Sequence, residues 1–353
     1  MKKCILPSQC LLALLNDFWE SGAQCFTVRA PIVNATILTV ELGLPATVRP
    51  GVSPEGYREM LRPILAEYRH RELSWVRREF PPYQALAGAL CMSGVLAVCP
   101  AWEQIVAKCR EESESPFGGG QPWFVGFDTS ALRLRAMSSL MAHEAETGLY
   151  NFAVAPMTRE ELSFEGKYGK DDLDYVLAND ALGPDRRLLE ELWNQYRLED
   201  RLRRIGHLEI TKMEATGRCA EVKASGSAKR GDDAIIEEYR KFARERKLLL
   251  LSADRGFVDR LSGQRGIAAV KLERPRPREV EADWLRVSDL LYVLSIVYGV
   301  VTVSSRDGRS CHVFGVWRGK EPEDWHAERV ALCDPSTALR LFRMDMALAL
   351  RST

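Results

Sequence analysis

Hydrophobic and polar positions divide the chain into three successive patterns. In the first, Leu11, Leu12, Leu14, Leu15, Phe18 and Trp19 recur at helical spacing. Leu61, Ile64, Leu65, Tyr68, Leu73 and Trp75 do the same on a charged background between Tyr57 and Arg78. This spacing predicts a mainly helical region over residues 1–115. A Gly/Pro/Ser-rich stretch, 113–122, reads as a linker, because no GxxxxGK[ST] follows its glycines. From Trp123 onward, short apolar runs alternate with amphipathic stretches. Trp123–Phe127, Phe152–Ala155, His207–Met213, Leu248–Leu251 and Ile267–Leu272 read as strands. Helices are expected over Ala131–Ala145, from Pro156, through the charged Asp185–Arg204, over Asp232–Lys247 and over Arg255–Leu261. The Asp232–Lys247 helix would be about 24 Å long. Such alternation predicts an α/β domain over residues 121–275, with a parallel sheet flanked by helices and right-handed crossovers.

The third pattern follows the prolines of Glu273–Glu279, which forbid regular structure. An apolar run, Leu290–Val303, flows into a hairpin turning at Asp307-Gly308. A closing helix, Ser336–Leu350, carries Leu339, Leu341, Phe342, Met344, Met346 and Leu348, too apolar to stand alone in water. A small α+β module over 279–353 is expected, with that helix buried against the domain or another chain.

A chain of 353 residues suggests two or three domains. Its 49 basic residues balance 49 acidic ones, so nucleic-acid binding would need a local patch. Arginine dominates the cations (49 − 12 Lys = 37), which suits phosphate contacts and ion pairs, although a GC-rich genome gives the same bias. Arg58, Arg62, Arg69, His70, Arg71, Arg77 and Arg78 make one stretch basic. It reads as a solvated helix face, with a nucleic-acid contact surface as the alternative. Nine cysteines, an odd number without a CxxC pair, point to reduced thiols in a cytoplasmic protein. Lys2-Lys3 and the apolar residues after them imitate a signal peptide, but Pro7-Ser8-Gln9 break the run and no cleavage site follows. The longest apolar run falls short of a membrane span, so a soluble protein without membrane association is expected.

Four carboxylates carry the candidate chemistry. Asp128, Glu161, Asp233 and Asp254 sit where strands end or helices begin, and ligands of parallel sheets bind at the carboxyl ends of strands. Without cysteine or histidine beside them they suit a hard cation, Mg²⁺ or Mn²⁺, held through oxygen. Gathered without a cation they would repel one another, by roughly 4 kcal/mol per pair at 4 Å and an effective dielectric near 20. Other constellations fail. His143-Glu144 lacks a second histidine because position 147 is Thr, and Cys311-His312 point to opposite faces of a strand. The five histidines have no zinc spacing.

Over about residues 122–275 the chain resembles the PIN-domain nucleases, through four motifs in that family's order. FDTSAL (127–132) resembles the opening strand with its first aspartate, Asp128, and small hydroxyl residue, Ser130. VAPMTREEL (154–162) resembles the element supplying the second carboxylate, here Glu161. GDDAIIEEYRKFA (231–243) resembles the helix of the third, Asp233. LLSADRGFVDRL (250–261) resembles the strand end that supplies Asp254, with Ser252 in the hydroxyl position. Asp232 is an alternative to Asp233, and Glu160 or Glu165 to Glu161. The segment between Glu161 and Asp233 is long for the family, with Asp171, Asp172 and Asp174 inside it.

The resemblance implies a PIN-like fold and metal-assisted hydrolysis of phosphodiester bonds. The substrate implied is single-stranded RNA, and the four carboxylates would act both as metal ligands and as the catalytic set. Ser130, Ser252, Arg133 and Arg255, with Lys229-Arg230, would contact substrate, although the arginines are as well suited to structural salt bridges. The alternative is a catalytically inactive PIN-like scaffold that binds RNA or a protein partner, its carboxylates serving as helix caps. The flanking regions would then mediate oligomerisation or partner binding. Convergence of the four carboxylates separates these readings.

Overall fold

A computed structural model of the chain describes residues 3–69, 75–99, 102–105, 107, 123–142, 151–163, 166–224, 226 and 230–333. Its two compact units interleave along the sequence. The first gathers residues 1–96, 166–201 and 276–353, and the second 97–165 and 202–275. Among the described residues the strands begin with β1 (Cys4–Pro7), β2 (Cys25–Ala30), β3 (Ala35–Glu41) and β4 (Ala46–Pro50). Then come β5 (Phe124–Phe127), β6 (Asn151–Val154), β7 (Cys219–Glu221), β8 (Leu248–Ser252) and β9 (Ile267–Lys271). The last are β10 (Val280–Ala282), β11 (Val300–Ser305), β12 (Ser310–Phe314) and β13 (Arg329–Cys333).

The second unit is the expected α/β sheet. Its five strands lie in the order β7-β6-β5-β8-β9 and every pair is parallel. The first strand of the unit is therefore central, and the chain runs out to one side and then to the other. The crevice between β5 and β8 is the switch point of the sheet. In the register Phe124 pairs with Leu248 and Phe127 with Leu251, so Asp128 and Ser252 leave the sheet side by side. Strand β8 is buried at every position. The helix Asp232–Phe242 lays Ile235, Ile236 and Tyr239 against Ala153, Leu248 and Leu250. Gly126 permits this packing, since a Cβ there would lie 3.0 Å from the Tyr239 ring and 3.0 Å from Leu250.

The expected strand His207–Met213 is instead part of the helix Leu198–Ala215. Arg201, Ile205, Leu208, Glu209 and Met213 are among its buried positions, a helical spacing that a local apolar alternation had masked. The third strand is β7, two half-buried residues and the exposed Glu221, without an apolar run. The expected helix Ala131–Ala145 is two short helices, Thr129–Arg133 and Ala136–Ala142. Between them lies Arg135, with φ of 54°.

The first unit corrects the reading of both flanks. Among the described residues before 113 four strands stand beside the helices, and the strands of 280–333 join them in one sheet. Strands from both ends build one eight-stranded antiparallel sheet, β1-β13-β12-β11-β2-β3-β4-β10. Val303 pairs with Val28, and Ile5 with Ala331. The apolar run Leu290–Val303 divides into the end of the buried helix Trp284–Tyr298 and most of β11. This helix passes so close to the end of β12 that a Cβ on Gly315 would lie 2.3 Å from the Ser295 backbone. The hairpin at Asp307-Gly308 forms as expected. Residues 166–201, the first part of the long segment between Glu161 and Asp233, belong to this unit. Among them, Asp172 accepts from the Gly169 amide at 3.0 Å and pairs with Arg197 at 2.8 Å. The linker 113–122, His143-Glu144, Glu165, Lys229 and the closing helix 336–350 lie outside the described residues. No described helix is long and apolar enough to cross a membrane.

Candidate functional site

Asp128 follows the central strand directly and caps the helix Thr129–Arg133, its Oδ1 accepting from the Ala131 amide at 2.8 Å. The carboxylate is buried, and two hydroxyls orient it. Ser252 donates to Oδ2 at 2.6 Å, and Ser130 lies 2.9 Å from both oxygens. These serines are themselves fixed, since Ser130 Oγ accepts from the Ala253 amide and Ser252 Oγ from the Asp254 amide, each at 2.9 Å. Burial is the largest influence on Asp128 and outweighs the three hydrogen bonds. The negative charge of Asp232 adds to it, and the carboxyl is pushed up to about 6.

Glu161 reaches the same edge from the helix Pro156–Glu161, which starts at Pro156 as expected. The Thr129 hydroxyl donates to one of its oxygens. Its other oxygen faces Gly231, where a Cβ would lie 3.8 Å away. Gly231 has φ of +58°, a conformation open to glycine, and it brings the start of the helix Asp232–Phe242 up to Glu161. Glu160 is exposed.

Asp232 and Asp233 differ by one position on that helix, and the difference decides their roles. Asp232 stands at i, i+3, i+4 and i+7 with the buried Ile235, Ile236 and Tyr239, so it shares the sheet-facing side. Asp233 is turned away and pairs with Arg260, both side chains being exposed. Both residues are exposed, but it is the charge of Asp232 that acts on Asp128. Asp254 caps the helix Arg255–Leu261, accepting from the Phe257 amide at 2.9 Å. It lines a cleft of about 450 Å³ with Ser130, Lys271 and Arg274. Arg255 is exposed and pairs with Asp259 at 3.5 Å, while Arg133 ends its helix in a half-buried position.

Three residues that sequence reasoning passed over complete the edge. The Tyr239 hydroxyl donates to the Phe127 carbonyl at 2.7 Å and accepts from the Phe127 and Ala155 amides at 3.1 and 3.3 Å, tying the ends of β5 and β6 together. Lys271 and Arg274 place two cations beside the cleft. Lys271 ends a strand that was expected, so its place at the carboxyl edge could have been read from the sequence.

The donor set is wholly oxygen, which fits a hard divalent cation in kind. As placed, no three carboxylate, thiol or imidazole side chains among the described residues are grouped to hold a metal ion. Among the described cysteines all eight are free thiols. Comparison with known families, with curated proteins and with solved structures finds no match to this chain.

Proposed function

We propose that the second unit hydrolyses phosphodiester bonds of single-stranded RNA with Mg²⁺ or Mn²⁺ as cofactor, in the manner of the PIN-domain nucleases it resembles. The observation that carries this is the buried Asp128 carboxylate at the switch point of a parallel sheet. It is oriented by Ser130 and Ser252, and acidic side chains of two further elements stand at the same edge. Asp128, Asp232 and Glu161 would hold the cation, with Asp254 at the rim of the cleft. When bound, the cation supplies Lewis-acid activation of water and neutralises charge at the scissile phosphate. Ser130 and Ser252 hold the Asp128 carboxylate in one orientation, the part that hydrogen-bonded supports play around metal ligands. Lys271 and Arg274 offer the flanking phosphates two donors at the cleft wall.

A non-catalytic scaffold is the second reading, favoured by one specific observation. Asp128 and Asp254 both cap helices, and Asp233 sits in an ion pair, so three of the carboxylates have ordinary structural work. Cleavage of end-labelled single-stranded RNA, with Mn²⁺ and with EDTA, separates the two. Cleavage that requires Mn²⁺ and is lost in Asp128→Asn supports the nuclease. No cleavage by the parent protein, or cleavage equally strong in the variant, refutes it.

A further inference from the structure

We propose that the first unit carries its own groove for the phosphodiester backbone of a single-stranded nucleic acid, built from Arg62, Arg69 and Arg77 around the ring of Tyr83. This goes beyond the catalytic reading, because the groove lies in the other unit and its binding needs no metal. The cavity, of about 770 Å³, runs along the helix Pro54–Ala66. Ser53 caps that helix, accepting from the Gly56 amide at 3.0 Å, and Pro54 begins it, so its first turn is fixed. Tyr57, Arg58, Leu61, Arg62 and Leu65 then fall at three- and four-residue steps on one side, and Arg69 joins the lining from beyond the helix end.

Charge on the segment is sorted rather than mixed. Glu55, Glu59 and Glu67 interleave with the arginines in sequence, yet none lines the groove, whereas Arg58, Arg62, Arg69 and Arg77 all do. Arg58 is paired with Glu55 at 3.1 Å. Arg62, Arg69 and Arg77 make no ion pair among the described residues. Like charges along a concave wall raise one another's energy, and a chain of anions relieves this. Arg62 stands on the helix and Arg69 three residues beyond its end, so the groove meets a strand with cations at separate points. Tyr83 is half-buried and is met edge-on by Tyr57, with ring centroids 5.5 Å apart; the Tyr57 hydroxyl is anchored to the Pro81 carbonyl at 2.6 Å. Leu61 and Leu65 lie between the cations. Arginines alternating with a held aromatic ring and apolar floor match a strand whose bases are free to stack, whereas a duplex offers only its phosphates.

Fluorescence anisotropy tests this in EDTA, where cleavage cannot interfere. The probes are a labelled RNA of about 12 nucleotides, a DNA of the same sequence and a blunt duplex, each read across salt. The parent should bind both single strands better than the duplex. Arg62→Gln/Arg69→Gln should bind at least tenfold more weakly and lower the slope of log K against log salt by about 1.4. Tyr83→Ala should weaken binding with the slope unchanged. Both arginines are exposed, so the double variant should keep the parent melting temperature, and Arg77→Gln provides a second, independent arm. No binding of the single strands by the parent at about 50 mM salt, unchanged affinity and slope in the arginine variants, or equal preference for duplex would each overturn the proposal. None of these outcomes bears on Mn²⁺-dependent cleavage, which is read separately.

Discussion

Replacing Asp128 with Asn should stabilise the metal-free protein at neutral pH. In the folded chain burial holds this carboxyl at about 6, against an ordinary value of 3.8. The folded state therefore binds the proton more tightly than the unfolded state, and stability falls as pH rises between those values. Above about pH 6 the ionised carboxylate costs up to about 3 kcal/mol, at 1.36 kcal/mol per pH unit. Asn removes that cost and keeps the shape. Its carbonyl oxygen can still accept from the Ala131 amide, as a helix cap requires. Its amide must donate where Ser130 or Ser252 now donates, which gives back about 1 kcal/mol. A net gain of about 1–2 kcal/mol corresponds to a rise of roughly 2–8 °C in melting temperature. The assay is calorimetry of both proteins in EDTA from about pH 4 to pH 8. At the acid end, where the folded state protonates Asp128 and the unfolded state does so in part, the variant should be level with or slightly below the parent, and the gap in its favour should open fully by about pH 7. A variant that melts lower than the parent at pH 7.5, by an amount independent of pH, would refute the reasoning.

Asp232→Asn should reduce Mn²⁺-dependent cleavage by about a hundredfold or more. Asp233→Asn should leave it within about twofold and cost under about 1 kcal/mol, because its pair with Arg260 is exposed. The reverse ranking would reassign the helix face. Tyr239→Phe should cost about 1–3 kcal/mol in urea unfolding, since it strands the buried backbone groups of Phe127 and Ala155; a cost below about 0.5 kcal/mol would show that the strand ends do not need the hydroxyl. Lys320 donates to the Gly315 and Arg329 carbonyls at 2.6 and 3.0 Å, between the rings of Trp317 and Trp325. Burial outweighs the attraction of Asp324 and Glu328 and pushes its ammonium down to about 7 from 10.5. The unfolded chain thus binds that proton more tightly, and the cost of burying the charge is fully present below pH 7. The melting temperature of the parent relative to Lys320→Met should rise between pH 7 and pH 10, and a gap that is flat or falling would contradict the assignment.

Much of the second unit was legible because its central strands are buried on both faces. Leu248–Leu251 and Trp123–Phe127 are unbroken apolar runs bounded by helix-capping aspartates, and such runs imply a parallel sheet. Strand β7 was not legible, since Cys219-Ala220-Glu221 carries no apolar signal and takes its place only through pairing with β6. The first unit was hidden for a different reason. Phe26 and Val28 find their partners in Ser305 and Val303, far along the chain, and no local pattern announces a pairing across an inserted unit. At the site, Asp128, Glu161 and Asp254 could be read from strand and helix ends. The choice between Asp232 and Asp233 needed the helix face, which Ile235, Ile236 and Tyr239 define. The cations Lys271 and Arg274 needed the cleft itself.

The most direct test of the central claim is Mn²⁺ binding followed by electron paramagnetic resonance, titrating the parent, Asp128→Asn, Asp232→Asn and Asp233→Asn side by side. One site is expected in the parent, lost in Asp128→Asn and Asp232→Asn and kept in Asp233→Asn. Absence of binding by the parent, or binding indifferent to Asp128→Asn, would contradict a cation site at the end of the central strand.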